Sequence, residues 1–523
     1  MSGSAISVRC LASTRVSKCD VQEKGQNEEV HGNVDSAESD GVKDEGTRSV
    51  ASHDGAQQQS KQDELENESD DRHRDSRSSN PSDSSPESES ESESESEYGS
   101  DSIISDSSLD SERYISCIQE AQLSPDGSCV FTSDYSRRFS VYPISNDILS
   151  QTVVQNLAPY ASLHYSDPIW AFAVNPLFNL QDASSTTVLL SRRDTYISLH
   201  NALWGTPRAT NNDASPATSA GPVDISTPLA SYKLINGLTE AVVAPISLVY
   251  SNGATHFFGG AKDEIAIFDL QETDKPIHTI RTIPAKRNKL KGGGRGFKGW
   301  VSALAISPPS HTSHDGLLAA GSRTRYIGIY DSVGGNEITH FSLPGTTNGI
   351  KFRNEKLNHV MGDGVSSLKW SPCGKYLYVA ERSSDVLLIY DVRNFSLSLG
   401  YCAGRKALTR QKLGFDIWNA GASPYDIEGL SHEVWAGGTD GMIRVWRDPY
   451  MREGAVEADD VVSVNSGGVP VVGSLVHASG SLAVAACGTI GAEEDMEGRG
   501  LKRGGGSRPR VREWGSLDIL GLG

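Results

Sequence analysis

The sequence predicts an all-β chain, a seven-bladed β-propeller preceded by a disordered acidic N-terminal tail. Three observations predict it: acidity confined to one end, short β-branched and aromatic runs punctuated by turn residues, and one three-strand plan that recurs along the chain. At 523 residues the chain is too long for one ordinary compact domain, which makes repeats the first thing to look for.

The formal net charge is −19, but residues 1–110 hold 27 Asp and Glu against 10 Lys and Arg, which leaves 40 acids and 38 bases in the rest. An acidic total therefore does not exclude an anionic partner for the nearly neutral remainder. Residues 1–110 are rich in Ser, Glu, Asp and Gln and poor in large apolar residues, too few to offset chain entropy, so disorder is expected there. Within it, Glu87 to Glu97 alternates Glu and Ser. Each of those serines has acidic neighbours and suits an acid-directed kinase; a solubilising spacer is the plainer alternative.

Seven scattered cysteines without a C-x-x-C pair indicate neither a zinc site nor a disulfide framework. No secretory leader and no run of 18 apolar residues occurs, so a soluble, intracellular, reduced protein is expected.

From residue 111 to about 490 six segments share one plan: an apolar strand, a turn, a second strand, a short polar turn, and a third strand ending in aromatic-Asp or a relative of it. The first runs from Leu123-Ser124-Pro125-Asp126-Gly127 through Cys129–Asp134 to Phe139–Tyr142, and the second from Ile169–Phe172 through Val188–Ser191 to Tyr196–His200. The third shows Phe257–Gly260 and Ile265–Asp269; the fourth Val301–Pro308, Leu318–Ser322 and Ile327–Asp331. The fifth is the most regular, with Val365–Pro372, Tyr376–Ala380 and Val386–Asp391, and the sixth keeps Gly414–Ile417, Val434–Gly438 and Ile443–Trp446. Val471–Leu475 and Leu482–Cys487 suggest an incomplete seventh, and seven units close a ring without long free edges. Ser/Thr/Pro/Gly-rich insertions at 204–228 and 344–364 are expected to be disordered loops on the rim, and 491–523 a flexible basic Arg/Gly-containing C-terminal tail.

This plan resembles the WD-repeat family, and more closely the telomerase Cajal body protein family, as a fungal-type relative. The resemblance covers about residues 117–490. It is carried by Leu123–Cys129, by Phe297-Lys298-Gly299-Trp300 running into Val301–Pro308, by Ala319–Ser322 with Ile327–Tyr330, and by Arg410-Gln411-Lys412-Leu413-Gly414-Phe415-Asp416-Ile417. Most units end in Tyr-Asp, Phe-Asp or Leu-His where the WD pattern has Trp-Asp. The resemblance implies a non-enzymatic nuclear propeller, in the Cajal body or nucleoplasm, that binds small Cajal-body RNAs (scaRNA) or telomerase RNA and serves RNP biogenesis. One relative in that group is associated with pre-mRNA splicing.

No catalytic constellation is present. Gly292-Gly293-Gly294-Arg295-Gly296 is not followed by Gly-Lys-Ser/Thr, and His311 and His314 have no third ligand nearby, so no cofactor, metal or small-molecule substrate is expected. The informative pattern is basic. In a WD blade the turn between the second and third strands opens on the same face as the connection into the first, and here that turn carries Arg137, Arg138, Arg192, Arg193, Lys262, Arg323, Arg325 and Arg382. The approaches to blades four and six add Lys286, Arg287, Lys289, Lys291, Arg295, Lys298, Arg405, Lys406, Arg410 and Lys412. Such a set on one face attracts phosphates, with Phe297 and Trp300 as candidates to stack on unpaired bases. The competing reading is that single arginines merely pair with Asp134, Asp194, Asp263 or Asp385. Lys286–Lys291 also suits a nuclear import signal, and Arg499 to Arg512 an Arg/Gly RNA-binding tail.

The expected partner is thus a small nuclear RNA with its RNP proteins, and the protein a monomer without a membrane span. A protein-only scaffold is the alternative, since Tyr390-Asp391-Val392-Arg393 approximates the Trp-Asp-x-Arg pattern of cullin-type ubiquitin ligase substrate receptors.

Overall fold

A computed structural model describes residues 6–15, 115–205, 221–283, 296–310, 313, 315–347, 350–352, 355, 357–419, 430–464, 468–492 and 511–523. Seven antiparallel sheets of four or five strands follow one another along the chain as the blades of a β-propeller. From the channel outward, blade 4 reads Val301–Ile306, Leu317–Ser322, Tyr326–Asp331 and Glu337–Ser342, and blade 5 reads Val365–Trp370, Tyr376–Glu381, Leu387–Asp391 and Gly400–Cys402.

The second strands are continuous apolar runs because both of their faces are covered. Alternate side chains serve opposite neighbours: in Cys129–Asp134, Cys129 and Phe131 pack against blade 2 while Val130 packs against blade 7. There is accordingly no single core. Seven apolar clusters lie one between each consecutive pair of blades, and the ring closes where Ile118 and Val130 meet Val484 and Leu517.

The repeat has a steric signature. Gly260, Gly321 and Gly437 stand near the ends of the second strands of blades 3, 4 and 6, where a Cβ would lie 2.8, 2.5 and 2.6 Å from Val301, Val365 and Val471 of the next blade. Serines tie the same junctions: Ser247 Oγ donates to the Val301 carbonyl at 2.8 Å and Ser302 Oγ to that of Val365 at 2.6 Å. These contacts join like ends of neighbouring blades, so all second-to-third-strand turns open on one face of the ring.

Closure of the ring departs from the sequence expectation. The seventh blade runs Val471–Val476, Leu482–Ala492, Val511–Leu522 and then Val8–Ser13 as its outer strand. By sequence, residues 8–13 belong to the disordered tail and 511–522 to a flexible one. Both instead complete the blade, with Val8 opposite Leu522 and Ser13 opposite Asp518. Leu11 and Ala12 are buried, and Asp518, wholly buried, accepts hydrogen bonds from Ser13 Oγ at 2.5 Å and Ser516 Oγ at 3.2 Å and an ion pair from Arg15 at 3.3 Å. The Glu-Ser run, residues 493–510, and the basic stretch 286–295 lie outside the described residues.

The insertions are also partly built in. Val223–Asp224 adds a parallel fifth strand to blade 1, and Ile225 beside it is buried; Thr346–Thr347 pairs with Ile350–Lys351, and Val360 is buried. Within these insertions residues 206–220, 348–349, 353–354 and 356 are outside the described residues.

Candidate functional site

The face that carries the second-to-third-strand turns is shaped by a repeated irregularity. In blades 1, 2, 4, 5 and 7 the first strand skips a residue against the second near this face, at Gln119, Trp170, Ser302, Ser366 and Val472. A bulge turns its extra side chain out of the ladder. In blade 2 that side chain is Trp170, which meets Trp300, the residue before the first strand of blade 4, edge to face at 6.4 Å and 85°. Both indoles are half-buried, and the pair spans blade 3 from its two neighbours. The backbone of Lys262, in the blade 3 turn, bridges to Trp300.

Lys262, Lys298 and Arg323 border this pair, and Arg410 stands on the same face across the channel mouth. All four are exposed, and none has a carboxylate partner within ion-pair distance among the described residues. Gly364, at φ +107°, lets the approach to blade 5 run against the Arg323 backbone, 2.4 Å from where a Cβ would sit. Arg382, half-buried, donates to the Arg410 carbonyl; burial, and Arg323 beside it, lower its pKa below the usual arginine value. On the far side of the aromatic pair, Arg192 lies 3.7 Å from the centroid of Tyr165, a cation–π contact, and Tyr165 in turn meets His200 at 3.0 Å. Burial pushes the His200 imidazole down to about 4.

Three residues expected on this face turn inward instead. Arg325 is buried between blades 4 and 5, where Nε and Nη2 donate to Glu381 at 2.7 and 2.8 Å and Nη1 to Thr346 at 2.6 Å. Arg405 is fully buried and donates to the carbonyls of Gly437, Leu413 and Gly414 at 3.2, 3.0 and 2.7 Å; burial lowers its pKa to about 10. Phe297 is buried and stacks on Tyr326 at 6.2 Å. Spacing alone does not distinguish these from their exposed neighbours: Arg323 and Arg325 stand two residues apart in one turn, and Arg325 alone reaches a carboxylate, Glu381, in the blade interface.

Several others are engaged. Lys412 pairs with Glu120 at 2.9 Å, Lys406 with Asp440 at 3.6 Å and Arg193 with Asp194 at 3.3 Å, while Arg137 donates to the Ser166 carbonyl at 2.6 Å. Arg138 is exposed. Lys286, Arg287, Lys289, Lys291, Arg295, His311 and His314 are outside the described residues. Of the four aspartates weighed as arginine partners, Asp194 is one; Asp134, Asp263 and Asp385 accept backbone N–H groups of Arg138, Gly299 and Ala407. Trp170 and Tyr165 had not been singled out. The available signal was that Trp170 and Trp300 both stand at the head of a first strand.

Below the face a channel of about 690 Å³ is lined by the first strands of all seven blades, with Lys369 of blade 5 and Asp416 of blade 6 paired along its wall at 2.5 Å. At the opposite face Arg393 is exposed and donates to Asp391 at 2.9 and 2.5 Å.

The fold is a seven-bladed β-propeller. No family model matches the chain. A curated protein of Schizosaccharomyces pombe, guanine nucleotide-binding protein negative regulator 1, is 24% identical over 334 residues, which cover 63% of this chain and 70% of that protein.

Proposed function

We propose that this chain is a non-catalytic propeller scaffold that holds single-stranded RNA of a small nuclear ribonucleoprotein on the Trp170–Trp300 face. In that role it serves assembly or localisation of the particle in the nucleus. The observation that carries the reading is the aromatic pair bordered by Lys262, Lys298 and Arg323, with Arg410 on the same face. Unpaired bases need flat apolar surfaces to stack on, and the phosphates between them need cations not already neutralised. The resemblance to the telomerase Cajal body protein family supports the same reading.

The test is binding of a fluorescent uridine oligomer by the full chain. Trp300→Ala should weaken binding about tenfold, the worth of one stacked base, with an unchanged melting transition. Wild-type protein that does not bind RNA at moderate salt would overturn the reading.

One finding favours a second reading. The Schizosaccharomyces pombe relative is named as a negative regulator of a guanine nucleotide-binding protein, so the same face could carry a protein of that class. Nuclease treatment separates the two, because an RNA-bridged complex dissolves and a direct protein contact survives.

A further inference from the structure

Blade 7 differs from the other six in the length of its two middle strands. Elsewhere the pairing of second and third strands stops close to the level of the first strand's head, as at Val301 opposite Ser322 or Val365 opposite Glu381. In blade 7 the corresponding residue is Cys487, opposite Val471, and pairing with the third strand then continues for five more residues, Gly488 to Ala492 against Gly515 to Val511. At about 3.4 Å per residue this lifts a two-stranded arm roughly 17 Å above the face.

The base of the arm is fixed on both sides. The Gly488 amide donates to the Pro470 carbonyl at 3.0 Å and its carbonyl accepts from Gln411 Nε2 at 2.9 Å, while Gly515 bridges to Ile115. Ser116 Oγ donates to Glu513, which turns that side of the arm toward blade 1. Alternation then places Arg512 and Trp514 together on the other side. The Arg512 guanidinium lies 5.3 Å from the Trp514 ring, and that ring lies over Gly491, the partner of Arg512, 3.5 Å from where a Cβ would sit. Arg512 is exposed and Trp514 half-buried.

An isolated two-stranded ribbon is marginal in water, and here Gly488, Gly491 and Gly515 weaken it further. Its anchoring by Gln411 and Ile115 therefore holds in place what local preference does not. Gln411 lies between Arg410 and Lys412, so the arm rises directly beside the cations of the blade 6 approach, across the channel mouth from the Trp170–Trp300 pair.

We propose that this arm is a second contact for single-stranded RNA, with an unpaired base stacking on Trp514 and a phosphate held by Arg512 and Arg410. The strand then crosses the channel mouth from one aromatic platform to the other. This rests on the RNA reading above and adds the path that the strand takes. The charge of the partner follows from the arm itself, since Glu513 is turned away and Arg512 is the charge on the outer side.

The test compares uridine oligomers of about 6 and about 25 nucleotides, below and above the span of one small single-strand site, on the full chain. Trp514→Ala combined with Arg512→Gln should weaken the long oligomer about tenfold and leave the short one unchanged, whereas Trp300→Ala weakens both. Trp514→Phe, which keeps a stacking face, should restore most of the loss, and that rescue separates stacking from a folding defect. Wild-type binding with no effect of the arm variant on the long oligomer overturns the arm and leaves the RNA reading standing. Absence of RNA binding by the wild type overturns both. An arm variant that loses an acidic peptide, such as poly-glutamate, and keeps RNA places a protein there instead.

Discussion

Arg325 of blade 4 and Glu381 of blade 5 form a two-point ion pair across the blade interface, at 2.7 and 2.8 Å, with each side chain only 2% exposed. Glu381 also accepts the Gly362 amide at 3.1 Å, so the pair fixes the approach to blade 5 as well as the junction. Arg325→Gln should destabilise the propeller by about 3–5 kcal/mol, the cost of leaving a buried partner charge uncompensated. Replacing both, Arg325→Met with Glu381→Leu, should recover most of that loss. Urea unfolding of the two variants measures the difference, and equal losses in both would show that the charges are not coupled.

The outer strand of blade 7 predicts opposite results from two deletions. Removing residues 1–15 takes away Leu11 and Ala12 and leaves Asp518 without Ser13 and Arg15, so the loss should be at least about 3 kcal/mol. Excising residues 22–110 while keeping that strand should shift Tm by less than about 2 °C, because the propeller contacts remain. Calorimetry of the two chains decides it; a larger drop from the internal excision reverses the assignment.

His200 makes stability depend on pH in a stated direction. Its imidazole is buried and neutral, with a folded pKa of about 4 against an unfolded value of 6.5. Between these values the unfolded chain binds the proton and the folded chain does not. Stability is therefore complete above pH 6.5 and declines as pH falls toward 4, by at most about 3 kcal/mol. A His200→Gln variant should flatten this part of the pH–stability curve, and a slope equal to wild type removes His200 as its source.

Free surface charge predicts the salt response. Lys262→Gln with Lys298→Gln removes two exposed cations beside Trp300, so the slope of log affinity for RNA against log salt should shrink by about 1–1.5. Arg325 and Arg405 are unsuitable for this test because both are buried and their substitution destabilises the propeller. Fluorescence titration at four salt concentrations reads the slope, and an unchanged value shows that these lysines touch no phosphate.

The blades were legible because strands buried on both faces declare themselves as apolar runs. Tyr376–Glu381 and Val434–Gly437 need no tertiary information to be recognised. The outer strand Val8–Ser13 was not legible: six residues bearing Arg9 and Cys10 beside an acidic stretch carry no pattern of their own, and their partner lies some 500 positions away at Val511–Leu522. The basic face was half legible. Sequence gives the turn in which an arginine sits, but whether it faces water or the next blade depends on the partner that blade offers, as the exposed Arg323 and the Glu381-paired Arg325 show. The Trp170–Trp300 contact joins two blades across a third; the place of each at the head of a first strand marks the residues but not their meeting.

Because the seventh sheet takes one strand from each end of the chain, the interface between blades 7 and 1 cannot form on the ribosome until Leu522 has emerged. At about 5–20 residues per second, the first strand waits tens of seconds for its partner while six blades take shape behind it. A nascent ring in that interval is an open arc with bare sheet faces, Ile118 and Val130 among the residues left uncovered. The length of that wait, and what shields the arc during it, sets how much of the newly made chain reaches the closed state.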